Sequence, residues 1–272
     1  MMANPLQLRN GPRPFPRVYP LAGMGPTISS IENATLSDFS RSVIVPSLTI
    51  ENYVKTIYLI AIRQPQQPVA TGQLADALSV APGTVTSMLK TLSESGLAEY
   101  KPYGGVLLTR SGHRLAMRII RRHRLIETFL VQVLKLSWDE VHDEAENMEH
   151  AVSDLLVDRI DEFLGFPGAD PHGDPIPAAD GTVASSEGVG LDQLAVGTPF
   201  RLVRVLDQST DFLQDLSREG LSLDAEGIVQ AGQDNVIVLV EKKQIQLESS
   251  AAAKLLVQVI PTTQSADYPG PA

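Results

Sequence analysis

No cysteine occurs among the 272 residues. Disulfides, thiolate zinc sites, iron–sulfur clusters and cysteine nucleophiles are therefore all excluded. Aromatic residues are sparse, at 5%, although a hydrophobic fraction of 43% allows real cores. No apolar run approaches the ~20 residues that cross a bilayer, so no membrane partner is expected. Pro5, Pro12, Pro14, Pro16, Pro20 and Pro26 interrupt any secretion-signal core, which leads us to expect a cytoplasmic protein. HExxH, a Gly-rich phosphate loop and G-x-S-x-G are also missing, so we do not expect an enzyme.

Positive charge is scarce overall, with a formal net of −10, but it is unevenly placed. Residues 1–46 carry a net +2, residues 47–135 a net +6, and residues 136–272 a net −18. A basic block followed by an acidic one suggests two tasks: meeting an anion, then holding a cation.

The length implies more than one folded unit. Residues 1–46 are rich in Pro, Gly and Ser and read as a disordered tail. Residues 47–110 read as helix, helix, turn, helix and hairpin, which is the pattern of a winged helix-turn-helix. Pro82 suits the first turn of its second signature helix, where Val85, Leu89 and Leu92 face inward. Residues 111–165 read as two long helices, 111–136 and 138–164, whose apolar stripes (Leu155 and Leu156 among them) suit pairing or dimerisation. Residues 166–190 have linker composition. FRLVRVL, EGIVQAG, NVIVLVE and KLLVQVI within 191–260 read as strands of a small barrel, and 261–272 as a second tail. The expected fold is thus mainly α with a small β domain.

In the 82–95 helix the core stripe leaves Thr84, Thr86, Ser87 and Lys90 outward. Hydroxyls there can bond base edges or phosphates, while Lys90, Lys101, Arg110 and Arg114 are suited to backbone phosphates. Double-stranded DNA is the expected partner.

His142, Glu146, Glu149 and His150 fall within one arc of a helix roughly 100° wide. His123 and Glu127 form an i, i+4 pair on the preceding helix. Imidazole and carboxylate without sulfur suit hard divalent ions such as Mn²⁺ or Fe²⁺. Patterns alone leave alternatives open: a winged-helix regulator with structural histidines and a small-molecule effector, or a helical metal-binding protein that does not bind DNA.

ENYVKTIYLI at 51–60, VAPGTVTSMLKTLSESGL at 80–97, RRHRLIETFL at 121–130, VHDEAENMEH at 141–150 and HGDPIP at 172–177 resemble the metal-dependent repressors of the diphtheria toxin repressor and manganese transport regulator family. The resemblance implies a homodimer whose operator affinity rises on metal binding, a helical metal-binding and dimerisation domain, and an SH3-like, FeoA-type C-terminal domain. By residue match it implies a primary metal site of Asn52, Glu146, Glu149 and His150. It also implies an ancillary site of His123, Glu127 and His142, with Gln208 and Asp211 as loose candidates from the barrel. Glu146 stands where the iron-sensing branch carries Cys, which leans the site toward Mn²⁺ with Fe²⁺ as the alternative. Asn52 replaces the Met or Asp of the branches. Lys55 replaces a second acid, and the expectation for it is a solvated or phosphate-facing base.

Overall fold

The computed structural model describes residues 48–261, apart from 66, 186–187 and 233–234. The expected tail at 1–46 lies outside the described residues, as does all but the first residue of the expected tail at 261–272.

Three helices, α1 (Leu48–Ala61), α2 (Thr71–Ala77) and α3 (Pro82–Glu94), precede an antiparallel hairpin of β1 (Ala98–Lys101) and β2 (Gly105–Leu108). Val54, Ile57, Leu74, Val85, Leu89, Leu92 and Val106 are fully buried in their shared core. Each large aliphatic so buried contributes about 1.5–3 kcal/mol.

Helix α4 (Arg110–Phe129) runs through the whole helical region. Thr109 caps it: its hydroxyl accepts the Gly112 N–H at 3.1 Å and donates to the Gly96 carbonyl at 2.7 Å. Ala116 and Ile120 of α4 belong to the N-terminal core, whereas Leu125 and Ile126 lie in two further clusters. The helix passes into a π turn at Leu130–Leu134 and ends on Lys135 at φ 63°.

The expected single helix at 138–164 is instead two, α5 (Val141–Glu149) and α6 (Asp154–Phe163). The break has a local cause. The Ser153 hydroxyl accepts the Leu156 N–H at 3.3 Å, and Asp154 sits in the first turn beside the positive helix end. Leu155 and Leu156, expected on a buried stripe, are 69% and 47% exposed.

The stretch with linker composition is packed: Asp170, His172 and Ile176 are buried. Beyond it, six strands form one antiparallel sheet in the order β3-β8-β4-β5-β6-β7, comprising β3 (Val189–Gly190), β4 (Pro199–Val205), β5 (Glu226–Ala231), β6 (Asn235–Val240), β7 (Lys243–Glu248) and β8 (Leu255–Val259). Helix α7 (Thr210–Glu219) covers this sheet with Leu213 and Leu216. Neither α7 nor β7 was expected from the sequence. The first is short, and the second, KQIQLE, has only two apolar residues.

Candidate metal centre

Helices α1, α4 and α5 bring the expected ligands into one region. On α4, one turn places His123 and Glu127 together, with His123 Nε2 at 3.0 Å from Glu127 Oε1. His142, at the start of α5, brings Nδ1 to 3.4 Å from the same oxygen. His123, Glu127 and His142 thus form a cluster able to hold a cation.

His123 also belongs to a second such cluster, with Glu146 and Glu149. Its Nδ1 lies 2.7 Å from Glu149 Oε2. Burial alone would lower the His123 pKa, but the charge and hydrogen bond of Glu127 and the bond to Glu149 raise it to about 9. Burial opposes ionisation of Glu149 too, yet the hydrogen bond from His123 and the charge of Lys55 hold its pKa below the usual carboxylate value. Glu127 is shifted downward in the same sense by His123.

Lys55 is the main departure from expectation. It is buried, not solvated, and its Nζ reaches Glu146 Oε1 at 2.6 Å and Glu149 Oε2 at 2.9 Å. Helical spacing explains this: residue 55 follows Glu51 by four positions, and both fall on the α1 face turned toward the carboxylates.

His150 gives Nδ1 to Glu51 Oε2 at 2.7 Å. Its Nε2 faces Glu149 Oε1 at 3.2 Å and has no hydrogen-bond partner. In the tautomer that donates Nδ1–H to Glu51, the Nε2 lone pair is left available to a cation beside Glu149. Asn52 Oδ1 is likewise buried and without a partner.

A third cluster, Glu127 with Asp170 and His172, contains two residues that the sequence reading did not assign to a site. His172 Nε2 bonds the Trp138 carbonyl at 2.7 Å, which leaves Nδ1 unpartnered at 3.9 Å from Glu127 Oε2. Burial, Glu127 and Asp174 push the Asp170 carboxyl up to about 8, against the pull of Arg124. A histidine flanked by acids in HGDPIP was the available signal, but its composition pointed to a linker.

Among the described residues, five buried side-chain polar atoms lack a hydrogen-bond partner, and three of them belong to Asn52, His150 and His172. Concentration of orphaned acceptors in a carboxylate-rich pocket fits a divalent cation with hard oxygen and nitrogen ligands. Of the barrel candidates, Gln208 lines the adjoining cavity and bonds Asp174 at 3.2 Å. Asp211 is exposed on the first turn of α7 and does not line that cavity; Asp207 does.

On the opposite task, Thr84, Ser87, Lys90, Lys101, Arg110 and Arg114 are all exposed. Thr86 is half-buried and donates its hydroxyl to the Pro82 carbonyl at 3.0 Å, so only its acceptor lone pairs and methyl remain for a partner. Thr86 and Lys90 share a depression with Tyr103, which stands fully exposed at the tip of the hairpin at φ 63° and was not singled out from the sequence.

A helix-turn-helix with a hairpin wing, joined to a buried histidine–carboxylate centre, defines a DNA-binding regulator that responds to a metal. Residues 47–106 match the family described as iron dependent repressor, N-terminal DNA binding domain. Residues 109–178 match its metal binding and dimerisation domain, and 189–259 match the FeoA domain. An uncharacterized HTH-type transcriptional regulator of Methanocaldococcus jannaschii is 38% identical over 118 residues, 43% of this chain and 94% of that protein. The iron-dependent repressor IdeR of Mycobacterium leprae is 31% identical, over 61% of this chain and 74% of its own. A solved manganese-dependent transcriptional repressor in complex with manganese is 40% identical, with a TM-score of 0.70, covering 78% of this chain and all of that one. The chain belongs to the iron-dependent repressor family of metal-dependent transcriptional regulators.

Proposed function

We propose that the protein is a homodimeric, Mn²⁺-responsive repressor that binds operator DNA, with Fe²⁺ as the alternative effector. The unpartnered acceptors of Asn52, His150 and His172 beside buried carboxylates carry this reading. Asn52, Glu146, Glu149 and His150 would hold one ion. His123, Glu127 and His142, with Asp170 and His172, would hold another. A bound divalent ion supplies positive charge that lets these carboxylates and imidazoles converge. Asn52 lies on α1, which packs in the DNA-binding head, while Glu146 and Glu149 lie on α5. Drawing these residues together couples the head to the helical region, and metal raises DNA affinity only by preferring that arrangement. Glu146 in place of a thiol favours Mn²⁺, and ScaR, 32% identical in structure comparison, has been solved with bound Zn²⁺.

Thr84, Thr86, Ser87 and Lys90 on α3 would enter the major groove, while Lys101, Arg110 and Arg114 meet phosphates. A gel-shift titration at fixed salt is expected to show DNA affinity about 10–100-fold higher with Mn²⁺ than with chelator. Glu146→Ala should erase that difference. Equal affinity with chelator and with excess metal would refute the reading.

The dimer has a suitable surface. Leu155, Leu156 and Phe163 fall within an arc of about 100° on α6 and are 69%, 47% and 68% exposed. Such a face on a soluble chain marks an interface. Leu155→Glu with Phe163→Glu should convert the species seen by analytical ultracentrifugation from twice 29.4 kDa to 29.4 kDa. A variant that stays at the larger mass would place the interface elsewhere.

A further inference from the structure

We propose that Lys55 is a tethered cation that stands in the primary metal position of the metal-free protein, and that a divalent ion binds there only by displacing it. The proposal rests on the metal-responsive reading above and concerns how that site is regulated.

The Lys55 Nζ lies 2.6 Å from Glu146 Oε1 and 3.1 and 2.9 Å from Glu149 Oε1 and Oε2. It is also 3.3 Å from His123 Nδ1. Its side chain is 9% exposed, and the Glu149 side chain is completely buried. One ammonium therefore pairs with both of the carboxylates that a metal would need, at contact distance from each, and offsets half of their charge. It also reaches from α1 to α5, so it makes in covalently tethered form the head-to-core link that a metal would make.

A divalent ion bound to the same oxygens would sit against this ammonium, and like charges at that separation in a buried site repel strongly. Metal entry and Lys55 exit are thus a single exchange. The exit has room: Lys55, Asn52, Glu146 and Glu127 line one cavity of about 1190 Å³, whose wall also carries Asp170, Asp174 and Asp207. Four methylenes let the ammonium move into that cavity while its backbone stays in α1. Two consequences follow. Metal affinity is set by competition with an internal cation, which raises the concentration at which the protein responds. The metal-free form keeps α1 docked on α5 through Lys55.

Mn²⁺ affinity, measured by chelator competition on the full chain, tests this in wild type, Lys55→Met and Lys55→Arg. Lys55→Met is expected to bind Mn²⁺ roughly tenfold or more tightly, because nothing competes for Glu146 and Glu149. Its melting temperature without metal should fall below wild type, and its rise on Mn²⁺ addition should be larger. Lys55→Arg, which keeps the charge, should bind no more tightly than wild type. Equal or weaker Mn²⁺ binding by Lys55→Met would overturn the exchange while leaving the metal reading intact. No Mn²⁺ binding by any of the three would overturn the metal reading and the exchange with it. If Lys55→Met is unfolded without metal, recovery of wild-type circular dichroism on Mn²⁺ addition supports the exchange, and failure to recover refutes it.

Discussion

Replacing Glu149 with alanine is expected to lower folding stability by about 3–5 kcal/mol, the usual cost of removing one partner of a buried charge pair. The Glu149 side chain is wholly inaccessible and meets Lys55 at 2.9 Å, His123 at 2.7 Å and His150 at 3.2 Å. Its deletion leaves the Lys55 ammonium and a His123 whose pKa is raised to about 9 in a buried pocket, with less negative charge to balance them. A loss of that size is a large fraction of the roughly 5–15 kcal/mol that holds a typical domain folded. Urea denaturation at neutral pH should show a lower midpoint with an unchanged slope. Glu149→Gln keeps the volume and an acceptor, so its loss should be smaller. A midpoint within error of wild type for Glu149→Ala would mean that Glu146 and Glu127 suffice to balance both cations.

Gly173→Ala is the second large effect, and it acts through backbone. Gly173 sits at φ +85°, and a Cβ there would lie 2.1 Å from the Val203 carbonyl oxygen and 2.7 Å from Arg204 Cα. Left-handed strain and overpacking against rigid backbone together cost roughly 2–5 kcal/mol. Relief requires the 169–177 strap to retreat from β4. That strap is tied to β4 and braced within itself: the Val205 N–H bonds the His172 carbonyl at 2.9 Å, and Asp170 Oδ1 accepts the N–H groups of His172 and Asp174 at 2.8 and 2.9 Å. Its retreat carries His172 and Asp170 away from Glu127. Metal titration of Gly173→Ala should therefore show binding at that cluster weakened about 10–100-fold. The core shared by α1, α2 and α3 should remain intact, since the atoms nearest that Cβ belong to Val203 and Arg204 of β4 and not to that core. Gly168→Ala serves as control, because a Cβ there meets nothing within 4 Å and its φ is not left-handed. Matching behaviour of the two variants would remove the strap from the account.

Helical periodicity carried the reading of the N-terminal half because each of those helices buries a regular stripe. Val85, Leu89 and Leu92 repeat on one face, and all three are fully buried. The pairs His123/Glu127 and His142/Glu146 were legible for the same reason, since i, i+4 neighbours meet whatever else surrounds them. The split between α5 and α6 was written locally, in Ser153 and Asp154, but continuous amphipathic spacing on either side masked it. Helix α7 and strand β7 were not legible: one is ten residues long, and the other is six residues in which Ile245 alone is buried.

By itself, the sequence determined which chemistry is available: no sulfur, an excess of carboxylate, and histidines placed one helical turn from acids. It also determined the head's amphipathic faces, since these depend only on short-range spacing. Which groups share the centre was decided by tertiary structure alone. Lys55 is separated by 91 and 94 residues from the carboxylates it pairs with, and His172 lies 45 positions from Glu127. Neither pairing follows from any local period. Burial then did the rest, because a lysine that would be a solvated base on a surface becomes, among Glu146, Glu149 and His123, a cation held where a metal would bind.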